Sequence, residues 1–257
     1  MAQQQILQVE NASRIFGGLR AVSEVNMKID QGELVGLIGP NGAGKTTLFN
    51  LLTGVYEPSE GKIFLNGRSV GGKKPYQITK LGAARTFQNI RLFGDMTVLE
   101  NVMVAYNMHA SHGLFSSIFR LPSHFGGEQE MREKAIEFLK IFKLDGKLDE
   151  YAKNLPYGEQ RRLEIARALA AKPQLLLLDE PAAGMNPQET TDLMNLIRWI
   201  RDEFKITILL IEHDMGLVMG VCERIYVLDH GQIIAEGTPA EIRANSKVVE
   251  AYLGQEV

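Results

Sequence analysis

The stretch GPNGAGKT, from Gly39 to Thr46, decides the fold of this chain. It matches the pattern G-x-x-x-x-G-K-[ST] and lies between the apolar run ELVGLIG and the helix-forming run KTTLFNLL. A glycine-rich turn can meet such a pattern by chance. Here every fixed position is met between a predicted strand and a predicted helix, which is the context that the motif requires. The stretch therefore predicts a phosphate-binding loop (P-loop) in an α/β protein.

The residue types in this loop suit a nucleoside triphosphate such as ATP. Gly42 and Gly44 let the backbone bend around phosphates without Cβ clashes, so that N–H groups and a helix N-terminus face the anion. Lys45 brings positive charge to the β- and γ-phosphates, and the Thr46 hydroxyl is placed to bind Mg²⁺. The predicted nucleotide-binding residues of the loop are Gly39, Pro40, Asn41, Gly42, Ala43, Gly44, Lys45, Thr46 and Thr47.

A second apolar run, LLLLDEP, ends in two acidic residues. Asp179 is in place to bind the magnesium ion, as the aspartate that ends a buried strand does in P-loop proteins. Glu180 follows directly, where a carboxylate can polarise an attacking water. The alternative is an acidic pair that merely ends a strand. Together with the P-loop, the pair predicts ATP hydrolysis.

The remaining sequence alternates between strand and helix patterns. ILQVE, AVSEVNMKI and GKIFLNG predict further short strands, and IYVLDHGQIIAEG predicts a hairpin that turns at His230 and Gly231. Helical spacing predominates between residues 95 and 172, for example in MREKAIEFLKIF. We therefore predict one α/β domain over residues 1–257. Residues 1–94 and 173–257 form its core with antiparallel strands at one side, and 95–172 form an inserted helical subdomain.

Composition and charge limit the possible classes of protein. The 257 residues are 45% hydrophobic with a formal net charge of −3, which argues against an electrostatic nucleic-acid binder. Cys222 is the single cysteine, so no intramolecular disulfide forms and a reducing compartment fits best. The N-terminus lacks the basic start and apolar run of a signal, and no run approaches the roughly 18 apolar residues that span a bilayer. We expect any membrane attachment to come from a partner.

The order and spacing of several motifs resemble the ATP-binding subunits of ABC transporters. They are the P-loop, TFQNIRLF with Gln88, LPYGEQRRLEIARAL, Asp179 with Glu180, and IEHD with His213. The segments YGEQRRLEIAR, DEPAAGMNP and IEHDMGLVMG are similar to one of the two ATPase subunits of bacterial branched-chain amino acid importers. The resemblance covers nearly the whole chain and implies a RecA-like P-loop core. Urea, amide and lipopolysaccharide-exporting relatives share parts of these motifs.

The resemblance also implies roles for three residues outside the P-loop. Phe16 lies where the family places an aromatic ring against adenine, the alternative being an ordinary core phenylalanine. Gln88 matches the glutamine that reaches magnesium and the attacking water, the alternative being a surface amide. His213 matches the histidine that contacts the γ-phosphate, although a lone histidine after a strand is often structural. The implied catalytic set is Glu180, His213 and Gln88, with Thr46, Gln88 and Asp179 around Mg²⁺.

The resemblance implies a head-to-tail dimer with ATP between two ATPase subunits. The implied partners are two integral membrane permease subunits, a second ATPase subunit, identical or distinct, and indirectly an extracellular or periplasmic solute-binding protein; no nucleic acid is implied. The chain would lie peripherally at the cytoplasmic face of the inner (plasma) membrane. The signature loop that reaches the partner's ATP comprises Pro156, Tyr157, Gly158 and Glu159.

Two positions depart from the family pattern. Pro156 stands where the signature usually has a serine, and proline lacks both that hydroxyl and a backbone N–H. Proline can simply suit the first turn of the following helix, or the loop can close over ATP on a non-identical partner. Asn186 replaces a common aspartate and keeps its hydrogen-bonding capacity while losing a charge. We expect modestly changed communication between the two ATP sites.

Several readings remain open from the sequence. Residues 108–127 carry apolar side chains in a polar segment, which favours either a patch near the membrane subunits or a loop folded back on the helical subdomain. The tail EGTPAEIRANSKVVEAYLG predicts one capped closing helix. Other function classes are a soluble ABC ATPase of DNA repair or translation and a small-molecule P-loop kinase. Neither explains Gln88, the signature helix and His213 together.

Overall fold

The computed structural model describes residues 4–106 and 122–253, with only the backbone described for 122–128. The predicted features of 107–121, including most of the apolar segment, lie outside the described residues. The chain divides into two compact units, Met1–Gln88 with Gln174–Val257 and Asn89–Pro173. Among the described residues, no helix combines the length and apolar character needed to cross a membrane.

The elements follow one another in three stretches of the chain. The first comprises β1 Gln5–Phe16, β2 Leu19–Asp30, β3 Leu34–Ile38, α1 Lys45–Leu52, β4 Glu60–Leu65, β5 Arg68–Ser69, α2 Pro75–Lys80 and β6 Ala83–Arg85. The second comprises α3 Val98–Tyr106, α4 Pro122–Ile141 and α5 Tyr157–Ala170. The third comprises β7 Leu175–Asp179, α6 Pro187–Phe204, β8 Thr207–Ile211, α7 Met215–Val221, β9 Arg224–Asp229, β10 Gln232–Gly237, α8 Pro239–Ala244 and α9 Ser246–Leu253.

The first unit contains a six-stranded sheet in the order β10-β9-β3-β8-β7-β6. Its strands are parallel except for the β9-β10 hairpin. All five residues are buried in each of β3, β7 and β8, which explains why these strands read as continuous apolar runs rather than alternating ones. The parallel order brings the carboxyl ends of β3, β7 and β8 to one edge, where the P-loop, Glu180 and His213 follow.

A second, antiparallel sheet of the same unit has the order β2-β1-β4-β5. Its first two strands are 12 residues each and longer than the alternating stretches of sequence predict. Their pairing contains register shifts, for example between Val9 and Ala12, and Asn11 and Glu24 have φ values of 48° and 51°. These irregularities break the two-residue period while pairing continues, so the alternating pattern marks only part of each strand.

Local signals set the helix boundaries near the chain end. Thr238 caps α8, and its hydroxyl accepts from the Glu241 N–H while Glu241 accepts from the Thr238 N–H in return. The prediction of one closing helix was wrong, because Asn245 has φ −82° and ψ 115° and separates α8 from α9. A residue in the extended region cannot continue the helical hydrogen bonds.

The second unit is helical, as the spacing predicts. Leu163, Ala166, Leu169 and Ala170 are all buried on α5. The buried pair Arg161 and Glu164 lies one turn apart on the same helix, with 2.8 Å between Nη1 and Oε2. The Glu164 carboxylate also accepts from the Arg91 N–H at 3.1 Å and so fixes the start of this unit to α5.

Candidate active site

A cavity of about 450 Å³ opens at the carboxyl edge of the parallel sheet. Most of the predicted loop residues line it, together with Glu180. The lining residues are Leu19, Arg20, Ala21, Asn41, Gly42, Ala43, Gly44, Lys45, Thr46, Thr47, Glu180, His230 and Gly231. The structure therefore brings the two predicted halves of the site to one cavity. The β9-β10 turn, with His230 and Gly231, is a wall of the cavity that the motif analysis did not predict.

Glycine is required in the P-loop for two physical reasons. A Cβ on Gly39 would lie 2.0 Å from the Leu228 carbonyl oxygen, and one on Gly44 would lie 2.4 Å from the Ala21 carbonyl oxygen. Gly42 and Gly44 also have φ values of +80° and +104°, which residues with a side chain rarely adopt. The loop is thus packed against β9 on one side and β2 on the other, and its shape is fixed by its surroundings.

Lys45 is held inside the loop. Its ammonium donates to the carbonyl oxygens of Gly39 and Pro40 at 2.6 and 2.9 Å. Burial lowers the pKa of Lys45, while the charges of Glu180 and Asp179 act to raise it. The first N–H groups of α1 have no carbonyl four residues earlier in the helix to which they could donate. Lys45, Thr46 and Thr47, the residues that carry these groups, line the cavity. A cation beside free N–H donors at a helix N-terminus fits a phosphate group.

Asp179 is the last residue of β7, and its side chain is 7% exposed. Its Oδ2 accepts from Arg85 Nη2 at 2.6 Å. Sequence reasoning missed Arg85, because β6 has only three residues and Asp179 lies 94 positions away in the chain. The Asp179 carboxylate, the Thr46 hydroxyl and the Gln88 amide each carry an oxygen of the kind that Mg²⁺ prefers, so these residue types fit the predicted metal set. Among the described residues, no cluster of three or more His, Cys, Asp or Glu forms a metal site made by protein alone.

The three predicted catalytic side chains lie together. Glu180 Oε2 accepts from Gln88 Nε2 at 2.6 Å and lies 3.7 Å from His213 Nδ1. The Glu180 backbone has φ 45°, and its N–H donates to the Ile211 carbonyl at 2.9 Å. The strained backbone turns the carboxylate out of the strand direction and toward Gln88 and His213, which is a common feature of functional sites.

A buried carboxylate that the sequence analysis did not identify supports this group. Glu212 is 1% exposed and accepts from the N–H groups of Ala182 at 2.8 Å and His213 at 3.2 Å. Burial raises the pKa of Glu212 above its ordinary value. The Glu212 carboxylate thus connects Ala182, in the loop after Glu180, to the backbone of the candidate histidine His213. Its signal in the sequence was an acidic residue directly after the largely apolar run ITILLI.

Phe16 lies at the end of β1, where it pairs with the cavity residue Leu19. Its ring is 37% exposed, so it is not a core residue. Tyr56 packs edge-on against it with 5.2 Å between ring centroids, and the Arg14 guanidinium lies 4.6 Å from the Phe16 centroid. The aromatic ring is thus held in place at the side of the cavity that Leu19 lines.

The signature loop belongs to the second unit. Pro156 is the N-cap of α5 with φ −54° and ψ 151°, one position before the helical turn in which sequence reasoning placed it. Its carbonyl accepts from the Glu159 and Gln160 N–H groups at 3.0 Å each. The Glu159 N–H is therefore used within the loop. Tyr157 is 44% exposed, and the Glu159 carboxylate is bound by Lys147 at 2.7 Å.

Asn186 has a structural role at the start of α6. It is the N-cap of α6, and its Oδ1 accepts from the Gln188 and Glu189 N–H groups at 3.0 Å each. Glu189 accepts from the Asn186 N–H at 2.9 Å in return. An asparagine completes this capping box as well as an aspartate does.

Comparison with known proteins identifies the family and supports the fold. Residues 22–183 match the ABC transporter family, and residues 232–257 match a family described as branched-chain amino acid ATP-binding cassette transporter. The chain is 48% identical to the high-affinity branched-chain amino acid transport ATP-binding protein LivG of Escherichia coli strain K12, covering 98% of this chain and 99% of the relative. It is 47% identical to the corresponding protein BraF of Pseudomonas aeruginosa, covering 97% and 98% of the two chains.

A solved structure shows the same fold. The ADP conformation of MJ1267, an ATP-binding cassette of an ABC transporter, is 34% identical and has a TM-score of 0.83, with 98% of this chain and 99% of that chain covered. The predicted α/β P-loop fold with an antiparallel part and a helical part is confirmed.

Proposed function

The chain belongs to the ATP-binding subunits of ABC transporters, and from this membership we propose that it hydrolyses ATP to power the import of branched-chain, apolar amino acids. The enzyme class, an ATPase of a transporter, follows from the family. The observation that carries the site assignment is the convergence of the P-loop and Glu180 on one cavity.

We assign the phosphates of ATP to the P-loop. Lys45 and the N–H groups of the first turn of α1 hold the β- and γ-phosphates, and the lysine exchanges part of its contact with Gly39 and Pro40 for phosphate oxygens. Phe16 stacks on the adenine ring, a contact that any flat aromatic ring can make. Its packing against Tyr56 and Arg14 keeps the ring oriented.

Thr46, Asp179 and Gln88 hold magnesium in this proposal. When bound, Mg²⁺ neutralises charge that develops on the phosphates. Glu180 takes the proton of the attacking water as the oxygen of that water bonds to the γ-phosphorus and the bond to the ADP oxygen breaks. The Gln88 amide holds one carboxylate oxygen of Glu180 at 2.6 Å, which leaves the other oxygen for the water. His213, 3.7 Å from the same carboxylate, contacts the γ-phosphate.

The transport function requires partners. We propose that two membrane permease subunits bind this chain at the cytoplasmic face of the membrane and that a solute-binding protein acts on the far side. A second ATPase subunit, most simply a distinct one, completes the ATP site of this chain with its own signature loop. Residues Pro156, Tyr157, Gly158 and Glu159 of this chain reach the partner's ATP in the same way. ATP binding then closes the pair, and hydrolysis reopens it.

The substrate assignment rests on the similarity to LivG and BraF and on the C-terminal match at residues 232–257. Urea, amide or lipopolysaccharide systems are the nearest alternatives, and a non-transport ABC ATPase is a more remote one. They differ in what binds to the chain, since the permeases and the solute-binding protein select the solute.

A co-purification experiment tests the proposal. Tagged Glu180→Gln is expressed in its own cells, membranes are solubilised gently in Mg-ATP, and the bound proteins are identified by mass spectrometry. We expect two multispanning proteins and a second P-loop subunit. Cells that carry Lys45→Ala should take up radiolabelled leucine only at the background rate, whereas cells with the wild-type protein should accumulate it. Recovery of only this chain, or of ribosomal or DNA-bound proteins, would require withdrawal of the transport assignment.

A further inference from the structure

Arg85 makes several side-chain contacts near the site, and no role given so far explains them. It is the last residue of β6, and its side chain is 7% exposed. Besides the bond to Asp179, Arg85 Nη1 donates to Asn50 Oδ1 at 2.8 Å and to Thr53 Oγ1 at 3.2 Å. The guanidinium also lies between two rings, 5.4 Å from the centroid of Phe49 and 4.9 Å from that of Phe87.

These contacts join three segments that carry candidate site residues. Asn50 and Thr53 lie at the end of α1, the helix that begins at Lys45. Asp179 ends β7, and Phe87 directly precedes Gln88. A guanidinium is planar and presents its N–H groups in fixed directions, so it transmits orientation between its partners better than a flexible ammonium does. One side chain therefore sets the P-loop helix, the Asp179 carboxylate and the Gln88 segment relative to one another.

The arrangement is not one that maximises stability. Replacing a buried ion pair by apolar residues of similar volume is often neutral or stabilising. The Arg85 Nε is itself buried without a hydrogen-bond partner in the part of the chain that the structure describes, which adds a desolvation cost. An arginine at this position is better explained by the orientation that it gives to Asp179.

We propose that Arg85 is a positioning residue for ATP hydrolysis: it holds the Asp179 carboxylate in fixed orientation to the P-loop helix, ready to bind Mg²⁺. The proposal rests on the assignment of Asp179 to magnesium given above. Because Arg85 bonds Asp179, the proposed magnesium ligand, and does not line the cavity, its loss weakens the part of nucleotide affinity that depends on the metal. The metal-free affinity, set by the P-loop itself, stays the same.

The test is the dissociation constant of ATP measured by calorimetry with Mg²⁺ and again with EDTA. The dissociation constant in EDTA divided by the dissociation constant in Mg²⁺ reports how strongly the metal is coupled to the nucleotide: the larger this ratio, the more the metal strengthens ATP binding. We expect the ratio to fall at least tenfold in Arg85→Lys and about threefold in Asn50→Ala, which loosens Arg85 from α1 but leaves its ion pair with Asp179. The constant in EDTA should stay within twofold of the wild-type value in both variants.

Arg224→Gln is the matched control. Like Arg85, Arg224 is ion-paired and lies near an aromatic ring: it bonds the carboxylates of Glu33 at 2.6 Å and Glu236 at 2.5 Å and is 5.2 Å from the Tyr226 ring centroid. Arg224 is the first residue of β9, whereas the cavity lies at the carboxyl ends of the parallel strands. The control should lose thermal stability and keep the wild-type ratio.

Each outcome decides a separate point. A wild-type ratio in folded Arg85→Lys and Asn50→Ala would overturn the positioning role, and so would an equal fall in Arg224→Gln, since the effect would then be general destabilisation. A wild-type protein that binds ATP equally well with Mg²⁺ and EDTA would remove the magnesium assignment itself, and the positioning role with it. If Arg85→Lys does not fold, Asn50→Ala provides the deciding ratio.

Discussion

Replacement of Gly44 by alanine tests whether the shape of the P-loop is imposed by its surroundings. The added Cβ would lie 2.4 Å from the Ala21 carbonyl oxygen, about 0.6 Å closer than the 3.0 Å below which real Cβ contacts essentially never occur. The φ of +104° is itself strained for alanine. Backbone strain costs about 1–3 kcal/mol, and overpacking costs about 1–3 kcal/mol more. We therefore expect Gly44→Ala to lower the free energy of unfolding by roughly 2–6 kcal/mol.

The same clash should also displace the site. The Gly44 carbonyl accepts from the Leu48 N–H at 2.9 Å and so begins α1, the helix that carries Lys45 and Thr46. A shift of about half an ångström moves these groups away from the phosphates, because charge-assisted hydrogen bonds depend strongly on distance. We expect ATP affinity to fall by about 100-fold, which equals about 2.7 kcal/mol.

Two other glycines separate fold from site. Gly61 has φ +81°, and its Cβ would lie 2.2 Å from the Asn11 carbonyl oxygen, so Gly61→Ala should destabilise the fold to a similar degree. It is on β4 and does not line the cavity, so the folded fraction should bind ATP as the wild type does. Gly42 has φ +80° but nothing within 4 Å of its Cβ, so Gly42→Ala should show the strain alone.

Urea unfolding at low temperature gives the free energy of unfolding of each variant. The fluorescence of a labelled ATP analogue, measured without denaturant, gives the nucleotide affinity. The reasoning is refuted if Gly44→Ala loses stability like Gly61→Ala yet binds the nucleotide as tightly as the wild type. It is equally refuted if Gly61→Ala abolishes binding in protein shown to be folded by circular dichroism.

Three further predictions concern single residues. Asn186→Ala should lower the free energy of unfolding by about 1 kcal/mol, since it removes the cap of α6, whereas Asn186→Asp should leave it nearly unchanged; thermal melts distinguish the two. Burial raises the pKa of Cys222 to about 12, so a thiol reagent at pH 8 should react with the folded protein on the order of a thousandfold more slowly than with the unfolded chain, and rapid labelling of the native protein would contradict this. Pro156→Ser restores a hydroxyl and an N–H donor. A single hydrogen bond to a charged group at the lower value of about 1.5 kcal/mol corresponds to roughly tenfold, so the ATPase rate of the full complex should rise at least about tenfold. No change with Pro156→Ser, together with no change in Gly158→Ala, would show that the loop does not act on the partner's ATP.

The sequence predicted the parts of the site that depend on local patterns. The P-loop lies between a strand and a helix because its glycines and the flanking apolar periods act over a few residues. Glu180 and His213 follow buried strands, and parallel strands end at the same edge, so their proximity could be inferred from the alternation alone.

Contacts between distant segments could not be predicted in this way. Arg85 bonds Asp179 across 94 positions and Asn50 across 35, and no local pattern specifies such pairs. The short strand β6 carries only three residues, too few for a recognisable period. Glu212 looked like a polar residue that merely ends an apolar run. Its supporting role depends on the hydrogen bond from the N–H of Ala182, 30 residues earlier. The break at Asn245 could not be predicted either. It depends on the extended backbone angles of this one residue, while the residues on both sides of it favour helix.

The central claim is that Glu180 is the general base of an ATPase whose nucleotide is held by the P-loop. The most direct measurement is the ATP dissociation constant and the single-turnover hydrolysis rate of the wild type and of Glu180→Gln, in the assembled complex. The amide carbonyl that this substitution introduces can still accept from Gln88, so binding should change by less than about threefold, whereas hydrolysis should fall by about 10²–10⁴-fold, the usual contribution of a general base. Hydrolysis within a few fold of the wild type would show that another group activates the water and would contradict the account.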